Sequence, residues 1–496
     1  MPNIVYILAD DMGYGDVSCL NPDSKIHTRH LDRLAGRGMR FLDAHSPSAV
    51  CTPTRYSVLT GRYPWRSELK ESVLWGYSPP LIPRDRVTVA SMLQAHGYHT
   101  ACIGKWHLGL DWGVRGEGVE PSDETVDFAK AVGGGPRSIG FDYSCIMPAS
   151  LDIPPYVYIE NEHCEELPTD TYPGVDGKAF MRPGPCPPDF DPRTVMPRIT
   201  DNAVSYIGER AAADSPFFLY FPLFAPHTPI VPNDAFKGRS GIGEYGDFVL
   251  EVDDCVGRVL DALEEHGLTD NTLVIFTCDN GCSPMANFQE LASHGHSPSH
   301  VYRGYKADIY EGGHRVPFIA RWPGVIAEGS ESTETICLTD LMATTAAIVG
   351  AHLPPDAGED SHSILPALRG EDLTAPIRET AVQASINGSL CIRQGNWKLI
   401  LCPGSGGWSD PRPEVARSGD WPPVQLYDLD ADPGETTNRW AERPEMVTRL
   451  IEMLEKIVAN GRTTPGPRQQ NDGATSIWGP AGMPPGAEAL QARHGA

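Results

Sequence analysis

Asn3-Ile4-Val5-Tyr6-Ile7-Leu8-Ala9-Asp10-Asp11 is an apolar run, rich in β-branched and aromatic residues, that stops on two adjacent carboxylates. It is too short to cross a membrane and has no basic segment ahead of it, so it reads as a core strand rather than a leader. Runs of the same character recur at Thr100–Ile103, Pro216–Phe221 and Thr272–Thr277. Helical patterns lie between them. From Phe248 to Leu263, Val249, Val252, Val256, Val259, Leu260 and Leu263 repeat at helical spacing, and Gly267 follows as a C′ residue. Thr88–Ala95, closed by Gly97, repeats this more briefly. Such alternation predicts an α/β fold: a large central mixed, mostly parallel sheet flanked by helices.

At 496 residues the chain exceeds what one hydrophobic core fills, so a smaller second domain is expected. The character changes after about Ala375. Ser389–Leu401 reads as paired strands around Gln394-Gly395-Asn396, and Glu445–Val458 as a terminal helix with Met446, Leu450, Ile451, Leu454 and Val458 on one stripe. The expected division is a catalytic α/β domain over 1–375 and a C-terminal α+β domain over 376–496, with a short antiparallel sheet, the helix and an irregular tail. The Pro- and Gly-rich stretch Pro148–Pro197 is expected to run over the surface.

Lys+Arg 40 against Asp+Glu 65 gives a formal charge of −25, which repels polyanions and excludes nucleic acid as a partner. An anionic substrate then needs locally gathered cations. With no export signal in the sequence as given, a cytoplasmic protein is expected, or a periplasmic or secreted one where a leader has been removed. The 12 cysteines lack disulfide-scaffold spacing and read as reduced, Cys278 and Cys282 included.

Chemistry gathers where the strands end. In open α/β sheets ligands bind beyond the carboxyl ends of the strands. There stand Asp10-Asp11, Gly104-Lys105-Trp106-His107, Pro226-His227-Thr228 and Asp279-Asn280-Gly281. A parallel sheet would bring all four sets to one rim. Three carboxylates and an amide converging there call for a cation, and oxygen ligands select a hard one such as Ca²⁺ or Mg²⁺. A second constellation is Cys51-Thr52-Pro53-Thr54-Arg55. Pro53 suits the first position of a helix, which places Cys51 near the N-cap, where N–H groups welcome an anion and Arg55 can reach it. A buried structural thiol and a cysteine nucleophile are the competing readings.

The segment Cys51–Arg55, continued by Leu59-Thr60-Gly61-Arg62, resembles the signature of type I, formylglycine-dependent sulfatases in the alkaline phosphatase superfamily. Gly104-Lys105-Trp106-His107-Leu108-Gly109 resembles their second signature, and the resemblance runs on through Ala225–Pro229, Cys278–Gly281, Gly304–Gly313 and Gly395–Leu399. It implies that Cys51 is oxidised to formylglycine by a formylglycine-generating enzyme, that the aldehyde hydrates to a gem-diol, and that one diol oxygen attacks sulfur. It further implies that Asp10, Asp11, Asp279, Asn280 and the modified Cys51 hold Ca²⁺. Arg55 would hold the formylglycine, and Lys105 and Lys306 the sulfate oxygens. His227 would protonate the leaving oxygen and His107 take the second diol proton. Ser150 lies where some relatives place a hydroxyl near the sulfate.

The expected activity is hydrolysis of sulfate esters, of a sulfated carbohydrate ahead of an aryl sulfate. The alternative is a phosphonate monoester or phosphodiester hydrolase using the same site, and a third reading is anion binding without turnover. A homo-oligomer is left open. Lys398 is read as a solvated charge and Glu311-Gly312-Gly313-His314-Arg315 as shaping the turn after Lys306. The stretch Pro148–Pro197, the run His294–His300 and the tail after Gly461 are expected to line or cover the pocket.

Overall fold

In the computed structural model, which describes residues 1–491, the opening run forms β1 (Asn3–Asp10). It is followed by β2 (His99–Lys105), β3 (Tyr143–Met147), β4 (Phe217–Pro226), β5 (Thr272–Cys278) and β6 (Phe318–Arg321). Every residue of β1, β4 and β5 is buried, the pattern of strands covered on both faces. β1 lies between β4 and β5 and is parallel to both, with Tyr6 opposite Tyr220 and Ile275. β2 joins β4 in parallel and β3 joins β2, while β6 pairs antiparallel with β5. Short strands at both edges extend the sheet to ten.

The helices that matter to the site are α1 (Cys51–Thr60), α2 (Val89–Ala95), α3 (Val195–Ala211) and α4 (Glu244–Glu265). Thr88 caps α2 through a reciprocal pair with Ser91, and Gly97 beyond it has φ +83. α4 ends as its pattern predicts, with Gly267 left-handed at φ +66, and starts a turn early. That first turn is not apolar: Asp247 accepts the N–H groups of Gly238 and Ser240. Among the described residues no helix is long and apolar enough to cross a membrane.

A four-stranded antiparallel sheet follows: β7 (Ala381–Ala384), β8 (Leu390–Gln394), β9 (Trp397–Ile400) and β10 (Gln425–Asp428). The helix α5 (Pro444–Asn460) packs Val447, Leu450, Ile451 and Leu454 into a core of its own with Val382, Ile392 and Leu399.

Four expectations are corrected. Met147–Tyr158 is not surface: Leu151, Ile153, Tyr156 and Val157 are core residues, because proline removes periodicity without removing apolar bulk. Only the rest of that stretch, with the pair Asp170–Tyr172 and Gly184–Cys186, is largely exposed. The described part of the tail, 462–491, wraps the far end of α1 instead of covering the pocket, with Asp472 and Asn471 binding Arg62 and Arg66; the rest of the tail lies outside the described residues. His296 is buried on Asp16 at 2.8 Å and supports the loop after β1. Lys398 is not solvated: it is fully buried, ion-paired to Glu311 at 3.0 Å and Glu435 at 2.8 Å across the seam between the two sheets.

Candidate active site

The parallel order β5-β1-β4-β2 places the four polar sets side by side. Asp10 is the last residue of β1 and Lys105 the last of β2; His227 directly follows β4 and Asp279 directly follows β5. Ser150 lies just beyond β3. The chain must turn sharply there, and Asp11 and His107 adopt φ +63 and +56, left-handed values that cost about 1–3 kcal/mol each outside glycine. Gly104 supplies a close approach: a Cβ on it would sit 2.0 Å from the Pro222 carbonyl oxygen.

Helix α1 starts at Cys51 itself, with Val50 as N-cap. Pro53 is thus the third helical residue, not the first. The correction keeps the physics, since none of the first-turn N–H groups has an intrahelical acceptor and proline is tolerated throughout that turn. Thr52 Oγ1 donates to the His107 carbonyl at 3.0 Å and ties the helix start to the end of β2. Cys51 is 2% exposed.

Three cations face three carboxylates. Lys105 Nζ donates to Asp10 Oδ2 at 2.5 Å, and Lys306 Nζ to Asp11 Oδ2 at 2.8 Å. Arg55 grips Asp279 Oδ2 through Nε at 3.1 Å and Nη2 at 2.7 Å. Lys105 also donates to Ser150 Oγ at 2.8 Å, which lies 3.2 Å from His227 Nε2. Asn280 Nδ2 donates to Asp11 Oδ1 at 2.7 Å. All eleven residues singled out in the sequence come together here.

Two buried acceptors are left over by this network. Asp10 Oδ1 and Asn280 Oδ1 are buried without hydrogen-bond partners. Uncompensated buried acceptors cost about 1–3 kcal/mol each, and two of them among ionised carboxylates and cations suit an ion or ligand. Asp10, Asp11 and His227 also lie close enough for one metal to contact all three. The donors are oxygen-rich and fit a hard divalent ion.

The electrostatics separate the roles. Burial opposes ionisation of Asp10, yet Lys105, His227 and Arg55 outweigh it and hold its carboxyl below the usual range. Burial, with Asp10 nearby, raises Asp279. Burial also raises the Cys51 thiol against the pull of Lys105 and Lys306. A thiol so placed is a poor thiolate, which argues against the cysteine-nucleophile reading. Burial, seconded by Lys105, keeps His107 well below its ordinary value, so its imidazole is neutral.

Residues that the motifs do not contain complete the rim. The Leu74 carbonyl accepts from His107 Nε2 at 2.8 Å, and Asp152 Oδ1 lies 3.9 Å from His227 Nδ1. Asp152 stands two residues from Ser150, within the stretch Pro148–Pro197 expected to line the pocket.

A parallel α/β sheet whose strand ends gather carboxylates, cations and a helix-start cysteine defines a hydrolase of anionic esters. The chain belongs to the sulfatase family, whose model matches residues 2–351, and is a sulfuric ester hydrolase. It is 37% identical to N-acetylgalactosamine-6-O-sulfatase of Bacteroides thetaiotaomicron over 92% of this chain and 93% of that protein. It is 33% identical to human arylsulfatase A over 94% and 90%. A solved structure from work on glycosaminoglycan metabolism by B. thetaiotaomicron superimposes with a TM-score of 0.81 at 35% identity, covering 92% of this chain and 99% of that one.

Proposed function

We propose that this chain removes the 6-sulfate from a hexosamine or a related sulfated sugar, after Cys51 has been converted to formylglycine by a maturation enzyme. The substrate class follows from likeness to the B. thetaiotaomicron 6-O-sulfatase. Formylglycine at position 51 supplies the nucleophile, and a calcium ion held by Asp10, Asp11, Asp279, Asn280 and the modified side chain supplies positive charge beside it. The observation that carries the reading is Cys51 at a helix start, within the field of Lys105, Lys306, Asp279 and Asp10, the last with a partnerless oxygen.

The chain's own residues then divide the work. Arg55, fixed by Asp279, orients residue 51. Lys105, Lys306 and Ser150 bind the non-bridging sulfate oxygens and stabilise the charge they gain. His227 Nδ1 is 2.6 Å from the Thr228 carbonyl and must donate to it, which leaves Nε2, beside Ser150, to protonate the leaving oxygen. His107 is the opposite case. Its Nε2–H is spent on Leu74, so its partnerless, buried Nδ1 carries a lone pair and accepts the proton whose loss releases sulfate.

Intact-mass measurement should find residue 51 about 18 Da lighter than cysteine. Cys51→Ala should abolish sulfate release from a hexosamine 6-sulfate. Full activity with an unmodified thiol contradicts the mechanism, and faster turnover of a matched phosphonate monoester than of the sulfate ester contradicts the substrate class.

A further inference from the structure

The carboxylate of Asp152 is divided between two environments. Oδ2 accepts from Arg182 Nη1 at 2.5 Å, whereas Oδ1 is buried without a hydrogen-bond partner. The nearest ring nitrogen, His227 Nδ1 at 3.9 Å, is already committed to the Thr228 carbonyl. With its side chain only 10% exposed, Asp152 holds an open acceptor beside the proposed proton donor to the leaving group. Leaving such an oxygen dry is costly, and a ligand hydroxyl would remove the cost.

Arg182, paired with the other oxygen of that carboxylate, packs against Trp75. The guanidinium lies 5.0 Å from the Trp75 ring and 4.9 Å from the Phe180 ring. Among the described residues the Arg182 side chain donates only through Nη1, to the Asp152 side chain and carbonyl, so Nε and Nη2 remain available. Trp75 is 52% exposed, an unusual state for so large an apolar surface. It follows Leu74, whose carbonyl holds His107, so it stands at the mouth of the site. The two segments are fixed against one another: a Cβ on Gly76 would meet the Pro154 carbonyl oxygen at 1.9 Å.

We propose that Trp75, Asp152 and Arg182 form the subsite for the sugar that carries the sulfate, an inference that rests on the sulfatase reading above. Asp152 Oδ1 accepts from a hydroxyl near the scissile ester. Arg182 donates to a neighbouring hydroxyl or ring oxygen. The indole of Trp75 covers the C–H face of the pyranose. An aromatic plane beside a fixed donor and acceptor matches a pyranose, which has an apolar face and a polar edge; a simple aryl sulfate uses only the plane. Sites built to hydrogen-bond a hydroxyl discriminate strongly against substrates lacking it, because their buried polar groups are then left unpaired.

The test compares kcat/KM on a hexosamine 6-sulfate with that on 4-nitrophenyl sulfate for the wild type, Asp152→Ala, Arg182→Ala and Trp75→Ala. The ratio of sugar to aryl rates should fall about 30-fold in the first two variants and about tenfold in Trp75→Ala, whose exposed side chain can be removed without threatening the fold. Inhibition by the unsulfated hexosamine should weaken in all three, and inhibition by inorganic sulfate should weaken less. Equal losses on both substrates would overturn the subsite and make Asp152 a positioning residue for His227. Unchanged sugar turnover would overturn it as well. A wild type that hydrolyses 4-nitrophenyl sulfate and not the hexosamine sulfate removes the proposed sugar-sulfate function itself, a failure distinct from either.

Discussion

Two buried clusters of charge in this molecule look alike in composition and differ in what they leave open. Each brings three potential metal ligands together: Asp10, Asp11 and His227 at the strand ends, and His45, Glu311 and His314 at the seam between the two sheets. At the seam a cation is built in, because Lys398 Nζ contacts Glu311 at 3.0 Å, His314 Nε2 at 3.0 Å and Glu435 at 2.8 Å. Arg315 closes the remainder by pairing with Asp43 at 2.8 Å and Glu311 at 2.9 Å. At the strand ends the cations are present too, but Asp10 Oδ1, Asn280 Oδ1 and His107 Nδ1 have no partners. At the seam Glu435 Oε1 also lacks an aligned hydrogen bond, but it lies 2.8 Å from the Lys398 ammonium, so what separates the clusters is whether each open acceptor already faces a built-in cation. The first holds sheets together, and the second is poised for an ion and a substrate.

The largest effect that could break this contrast is loss of turnover at the strand ends. Asp11→Ala should lower kcat/KM at least about 10³-fold, since a metal's stabilisation of developing charge amounts to several kcal/mol. Calorimetry should show divalent-ion binding lost with it. Retained turnover in Asp11→Ala would put that carboxylate outside the reaction. At the seam the loss should be of stability. Lys398→Met leaves Glu435 without a cation and Glu311 with Arg315 alone in a buried setting, and should cost about 3–5 kcal/mol in urea unfolding. Its turnover per folded molecule should stay near that of the wild type, and a selective loss of kcat instead would make the seam part of the catalytic machinery.

The same contrast explains what the sequence could and could not reveal. The strand-end set was legible because each polar group directly follows an apolar run, and the parallel sheet does the rest. Cys51 was legible for a similar reason, although the helix start fell two residues before the one Pro53 suggested, as proline marks a first turn and not a position within it. Lys398 was misread because burial of one lysine depends on Glu311 and Glu435, carried by segments 87 and 37 residues away in opposite directions, and local pattern holds no record of that meeting. Trp75 escaped on the same ground, and Asp152 and Arg182 were legible only as members of the stretch Pro148–Pro197 expected at the pocket: three loops meet only once the fold is complete. Their residue types are common and their spacing is without period.

The smallest effect separates the clusters by pH. Burial pushes Glu435 up to about 7 despite Lys398, whereas at Glu311 Lys398 and Arg315 outweigh burial and hold the carboxyl well below its ordinary range. One lysine thus serves two carboxylates of which only one ionises readily. Between the ordinary glutamate value of 4.5 and about 7 the folded chain retains a proton on Glu435 that the unfolded chain has released. Stability from this group is therefore complete at the acid end of that window and lost as pH rises through its upper end. For one proton the slope is at most about 1.4 kcal/mol per pH unit. Glu251 and Asp253 are likewise pushed to about 7 by burial, so the wild-type slope alone does not isolate Glu435. The difference between wild type and Glu435→Gln does: urea unfolding from pH 4.5 to 7.5 should show the variant gaining on the wild type with each step upward. A constant difference would mean that Glu435 does not titrate there. The pH profile of turnover should be the same in both proteins, because Glu435 touches Lys398 and Glu311 and none of the reacting groups.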